Sequence, residues 1–156
     1  GLDRAIAGLA ASGVKAELLV AGAGDPGPFQ RQAEALGIGS RLRFLGVRSD
    51  VEALYAAADL LVLPTRYDPF ANACLEAMAA GLAVATTPSN GAAELLVDGT
   101  NGFVCGGDFS RAFRALEDPR RLRELGDAAR TTAERFGWGA HADAVLALWQ
   151  RLRARE

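Results

Sequence analysis

Metal-binding and disulfide-forming side chains are scarce in this chain of 156 residues, which has one histidine and two cysteines. His141, Cys74 and Cys105 are too few for a zinc site or a disulfide scaffold, so cysteine–histidine metal chemistry is excluded. A positive excess is lacking too: 17 Lys+Arg against 19 Asp+Glu leave a formal charge of −2. No nucleic-acid partner is therefore expected, because a polyanion is held mainly by basic groups. Long apolar runs are missing; Leu60-Leu61-Val62-Leu63 is typical of the longest, far short of a membrane span. Asp3 and Arg4 stand before a short alanine-rich stretch without a cleavage pattern, so no signal peptide is read there and a cytoplasmic location is expected. What the chain does have is 50% apolar and 23% charged residues, enough for one domain with a sizeable core.

Helical and strand patterns alternate. Leu2, Ile6, Leu9 and Ala10 recur at helical spacing over 2–12, and Gly13 stands where a C-cap belongs. Strands are expected at 17–22, 42–45, 59–63, 82–86 and 102–105, and helices at 28–36, 51–58, 71–80 and 92–97. From Phe109 onward the chain reads as helix, broken at 136–139. Alternation of this kind implies right-handed crossovers and a doubly wound parallel sheet: a single α/β, Rossmann-like domain over 1–156. Such a fold normally begins with a strand, whereas this chain opens in a helix, so a first strand is expected upstream. In the final helix Val145, Leu148, Trp149 and Leu152 form an apolar stripe, expected to be exposed, folded back or shared with a second copy.

Ligands of an open parallel sheet bind beyond the carboxyl ends of its strands. One such end, Gly22-Ala23-Gly24-Asp25, lacks the third glycine of a dinucleotide fingerprint and reads as a plain loop. A second runs from Pro64 to Glu76, turning at Pro69 into a helix whose first amides, from Phe70 through Ala71 and Asn72 to Ala73, suit an anion such as phosphate. Asp68 precedes that helix start and Glu76 lies one to two turns inside. The helical part of their separation is about 6–9 Å, the length of a diphosphate. A nucleoside diphosphate sugar has hydroxyls on both sides of its diphosphate, where two such carboxylates could take them. Equally, Asp68 can be a turn residue and Glu76 a solvated helix position. The third end holds Asn90-Gly91, a tight turn before further free amides, and Glu94, which by itself suits that helix's dipole. The run from Asp118 to Arg123 reads as a solvated helix face, His141 as a surface or packing residue, and both cysteines as small buried hydrophobes.

These segments form an ordered set: Leu42-Arg43-Phe44-Leu45-Gly46, Asp50-Val51, Ala57-Ala58-Asp59-Leu60-Leu61-Val62-Leu63-Pro64, the pair Asp68 and Glu76, Glu76-Ala77-Met78-Ala79-Ala80-Gly81, Asn90-Gly91-Ala92-Ala93-Glu94 and Asp98-Gly99-Thr100-Asn101-Gly102-Phe103. Together, over 42–103, they resemble the donor-binding, C-terminal half of family 4 retaining glycosyltransferases, enzymes built from two facing Rossmann-like domains (the GT-B architecture). Tyr67-Asp68-Pro69-Phe70 looks most like the subgroup containing lipopolysaccharide-core glucosyltransferases.

The resemblance implies a hexosyltransferase that uses a nucleoside diphosphate sugar, UDP-linked, without a metal or other cofactor, in cell-envelope polysaccharide or lipopolysaccharide synthesis. Asp68, with the Phe70 and Ala71 amides, would hold the transferred sugar, Glu76 the ribose, and the backbone around Val47 the base. Both carboxylates count as catalytic in the sense of orienting the donor. Asn72, Asn90 and Gly91 fall within the same donor-binding segments, and Arg66 is a candidate beside the diphosphate. The family's usual arginine and lysine have no match in this chain; Lys15, its only lysine, reads as a surface residue. A glycan or lipid acceptor would be bound by a separate N-terminal domain, and the full-length enzyme could associate peripherally with the inner face of the membrane. By itself the chain is expected to be inactive. The alternatives are a non-catalytic nucleotide-sugar binding module and a sugar-nucleotide epimerase of the same architecture.

Overall fold

A computed structural model describes residues 1–154. Helix α1 (Leu2–Ser12) buries Ala5, Ile6 and Leu9 and ends at Gly13, whose φ of 75° is the left-handed cap conformation that glycine adopts without strain. There follow β1 (Leu18–Ala21), α2 (Gly27–Ala35), β2 (Leu42–Gly46), α3 (Val51–Ala57), β3 (Leu60–Leu63), α4 (Asn72–Ala79), β4 (Ala83–Thr86) and β5 (Phe103–Val104). The chain then turns helical, with α5 (Ser110–Arg114), α6 (Pro119–Ala133) and α7 (Trp138–Arg153). The segment expected as a short helix at 92–97 is a 3-10 turn over Gly91–Leu95.

Every strand pairing is parallel, as the alternation of elements predicts. Hydrogen bonding nevertheless divides the strands into two sheets, β1-β2 and β3-β4-β5, where one continuous sheet was expected. Among the described residues no strand pairs with both β1 and β3. The two sheets are joined by packing instead: Leu18 and Val20 of β1 and Leu60 and Val62 of β3 lie against the same core cluster beneath α1.

Strand β4 is buried throughout and shows why the sequence layers as it does. Ala83 and Ala85 belong to a cluster with Ile6, Leu9, Phe103, Phe109 and Leu125. Val84, with Leu82 just before the strand, belongs to a second cluster with Cys74, Ala77, Met78 and Ala129. Side chains alternate across a strand, so an unbroken apolar run is the pattern of a strand covered on both faces. Phe109, Ile6 and Leu9 are each fully buried, and each burial stabilises the fold by about 1.5–3 kcal/mol. Among the described residues no buried side-chain polar atom lacks a hydrogen-bond partner.

Helix α7 differs from the rest. None of its described residues is buried: Val145, Leu148, Trp149 and Leu152 are each about half exposed, and Trp138 is 88% exposed. The apolar stripe is thus exposed, one of the three arrangements expected. His141 lies on the same exposed helix, edge-on to Trp138. The run from Asp118 forms the start of α6, where Asp118 caps the helix by accepting from the Arg121 amide; Leu122 alone turns inward.

Candidate functional site

Strands β3 and β4 end side by side, and the two loops that leave them build the site. Thr86 and Thr87 fasten the ends together: their hydroxyls donate to the Leu63 and Thr65 carbonyls, each at 2.8 Å. Further out the loops pair through their backbones. The Asp68 amide donates to the Ser89 carbonyl at 3.1 Å, and the Gly91 amide donates to the Asp68 carbonyl at 3.0 Å. Gly91 is required by space, since a Cβ there would overlap the Pro69 carbonyl.

Asn90 sits beneath this junction, 1% exposed. Its Oδ1 accepts the Ala71 and Ala92 amides at 3.1 Å each. Its Nδ2 donates to the Thr86 hydroxyl at 2.9 Å and approaches Cys74 Sγ at 3.4 Å. One side chain therefore joins the start of α4, the end of β4 and its own turn. Asn90 was expected to face the ligand; burial and these four partners make it an internal strut, because a side chain so engaged has nothing left to offer solvent. Burial also pushes the Cys74 thiol up to about 11, against the opposing effect of the Asn90 and Thr86 hydrogen bonds, so the thiol is no nucleophile at neutral pH. Cys105 is likewise buried, with its thiol raised chiefly by burial, as read for a small hydrophobe.

Asp68 is half-buried at the mouth of the site, and its Oδ1 accepts the Phe70 amide at 3.0 Å. With the Ala71 amide already bound to Asn90, two of the amides expected to greet an anion are engaged within the protein. Those of Asn72 and Ala73 remain as the helix-start donors of α4, without an intrahelical partner of their own. The Asn72 side chain is exposed. Glu76 is exposed on α4, and its Oε2 accepts the Tyr55 hydroxyl of α3 at 3.1 Å. Burial first, and that hydrogen bond second, push the Tyr55 phenol up to about 12. Val47 follows the end of β2 and is 78% exposed. Arg66 pairs with Asp3 of α1 at 2.8 Å, both side chains partly solvated. Surface pairs of that kind contribute about 0–1 kcal/mol, so the contact is weakly held.

Sequence reasoning passed over Tyr55 and gave no role to Thr86 and Thr87, which open the third strand end. For the threonines the available signal was a polar pair closing an apolar strand. For Tyr55 it was a single aromatic in an alanine-rich helix. Among the described residues no three His, Cys, Asp or Glu side chains gather as a metal site, and no helix is long and apolar enough to cross a membrane.

Fold and candidate site together define a Rossmann-like α/β domain whose paired loops lie beyond the carboxyl ends of β3 and β4. Residues 2–118 match the family "Glycosyl transferases group 1", and the chain belongs to that family. It is 34% identical over 137 residues to D-inositol 3-phosphate glycosyltransferase 2 of Catenulispora acidiphila, covering 83% of this chain and 32% of that protein. It is 38% identical over 115 residues to the lipopolysaccharide glucosyltransferase WaaG of Escherichia coli K12, covering 71% of this chain and 31% of that protein. The chain thus spans about a third of these relatives. The crystal structure of Anabaena Alr3699/HepE in complex with UDP and glucose superposes with a TM-score of 0.84 at 26% identity, covering 96% of this chain and 45% of that one. The fold is accordingly that of the C-terminal half of a GT-B glycosyltransferase.

Proposed function

We propose that this chain binds the nucleoside diphosphate sugar in a retaining glycosyltransferase of family 4, with the hexose unit at Asp68 and the nucleotide at Glu76. The observation that carries the reading is the placing of these two carboxylates on either side of the start of α4. Each holds one internal hydrogen bond and keeps further acceptor capacity for a hydroxyl. The diphosphate then lies against the Asn72 and Ala73 amides, where the helix dipole favours negative charge. Arg66 can join it by leaving Asp3, since the pair it gives up is weak. Exposed Val47 offers backbone to the base, and the UDP named in the Anabaena structure makes a uridine donor the natural first choice.

The chemistry asked of this half is electrostatic. As the glycosidic bond to the diphosphate breaks, charge grows on the departing phosphate, and preorganised amides stabilise it there at little reorganisation cost. The carboxylates orient the two ends of the donor; neither needs to move a proton, and no metal is invoked. The acceptor hydroxyl attacks from the face the nucleotide leaves, and the departing phosphate takes its proton. The acceptor, a glycan or lipid of the cell envelope, belongs to the remaining part of a longer enzyme working in the cytoplasm or at the inner face of the membrane.

Calorimetric titration with UDP and UDP-glucose tests the assignment. Glu76→Ala should weaken both ligands by about 1–3 kcal/mol through lost charged hydrogen bonds. Asp68→Ala should weaken UDP-glucose and leave UDP nearly unchanged. Equal losses for both ligands in both variants overturn it. Sugar transfer by the longer polypeptide separates an enzyme from a binding module, which would hold the donor without turnover. Inversion or hydrolysis of the donor without an acceptor would instead mark an epimerase.

A further inference from the structure

We propose that Tyr55 is a positioning residue for the nucleotide's ribose: through its hydrogen bond to Glu76 Oε2 it fixes the carboxylate so that Oε1 faces the ribose hydroxyls. The inference rests on the reading of Glu76 given above. Glu76 is exposed on α4, and a glutamate in that setting ordinarily samples many rotamers, which a ligand must then restrict on binding. Tyr55 removes much of that freedom in advance. Its ring packs against the cluster that contains Cys74, Ala77 and Met78, so the hydroxyl is held by a partly buried body. Only the tyrosine can donate between these two groups, because an ionised carboxylate only accepts. The direction of the bond is therefore fixed, and Tyr55 stays protonated at any ordinary pH.

The geometry divides the work of the carboxylate. Oε2 is tied to α3, and among the described residues Oε1 has no side-chain partner. A pair of vicinal hydroxyls presents two donors to a carboxylate edge, and a carboxylate held in one orientation meets them without a further loss of rotamer freedom. Tyr55 thereby acts on affinity for the ribose without touching it.

The test is a nuclear magnetic resonance titration of the 156-residue chain with UDP and with 2′,3′-dideoxy-UDP, which lacks the two hydroxyls. Tyr55→Phe keeps the ring and removes only the donor. UDP affinity should fall about three- to tenfold, the size of one hydrogen bond's contribution, while dideoxy-UDP affinity stays within about twofold. Glu76→Ala should show the same selectivity, and adding Tyr55→Phe to it should cost nothing further, because the two residues act as a unit. Equal losses for both nucleotides assign Tyr55 a merely structural role and overturn the inference. So does an unchanged UDP affinity in Tyr55→Phe when Glu76→Ala weakens it, and the Glu76 reading then stands. If Glu76→Ala has no effect on UDP, or the unaltered chain gives no saturable shift with UDP, the Glu76 reading falls and the inference with it.

Discussion

Asn90 Oδ1 accepts the Ala71 amide at 3.1 Å, and through that contact a residue at the end of one loop fixes the first turn of the helix that follows another. The same oxygen takes the Ala92 amide, and the amide nitrogen reaches the Thr86 hydroxyl. The loop carrying Asp68 therefore owes its shape to a side chain that faces the interior.

Replacing Asn90 with alanine leaves the Ala71 and Ala92 amides buried without acceptors, at about 1–3 kcal/mol for each group. Urea unfolding of Asn90→Ala should lose about 2–6 kcal/mol relative to the parent chain. A loss below about 1 kcal/mol would show that the loops hold together without it.

Gly91→Ala acts at the same junction by overlap. The added methyl meets the Pro69 carbonyl, so either the 68–71 loop shifts outward or the turn at 90–92 gives way. Overpacking of this kind typically costs about 1–3 kcal/mol. Amide resonances of 68–73 should move most and those of β1 and β2 least; an unperturbed 68–73 segment would contradict the close approach.

Tyr55 gives the site a signature at high pH. The chain has two tyrosines, so in Tyr67→Phe the remaining phenol should ionise near 12 in place of its ordinary 10, followed by absorbance at 295 nm. Because folding raises this pKa, its stabilising contribution is complete below pH 10 and is lost as pH rises through about 12. Unfolding measured across that window should be steeper with pH for the parent than for Tyr55→Phe. Ionisation of the Tyr67→Phe chain at 10 would contradict both the burial of the Tyr55 ring and its contact to Glu76.

Both tryptophans, Trp138 and Trp149, lie on α7, which makes fluorescence a report on that helix alone. Exposures of 88% and 53% predict emission close to that of solvated indole, changing little on unfolding. Deleting 138–156 should shift the urea midpoint only slightly, since no described residue of α7 is buried. Strongly blue-shifted emission that depends on protein concentration would mean that the stripe of Val145, Leu148, Trp149 and Leu152 is covered by a second copy.

The alternation of elements, the parallel pairing and the layers around β4 were legible in the residue pattern. Apolar period and glycine punctuation are local properties, and Leu82-Ala83-Val84-Ala85 is continuous because both its faces are covered. The strand end taken as the candidate site stood out for a related reason, since Pro69 and the apolar helix after it mark where a strand gives way to free amides. Asp68 and Glu76 could be singled out because one precedes a helix start and the other lies one to two turns inside it. The partners of these residues could not be read in this way. Asn90 looked like a ligand contact and proved to be a strut, Arg66 pairs with Asp3 at the far end of the sequence, and Tyr55 reaches Glu76 across 21 positions. Each of these depends on how loops and helices from separate segments pack against one another. Sequence spacing sets distance along a helix or strand; which side chains meet between elements, and which polar atoms remain free for a ligand, follows from packing in three dimensions.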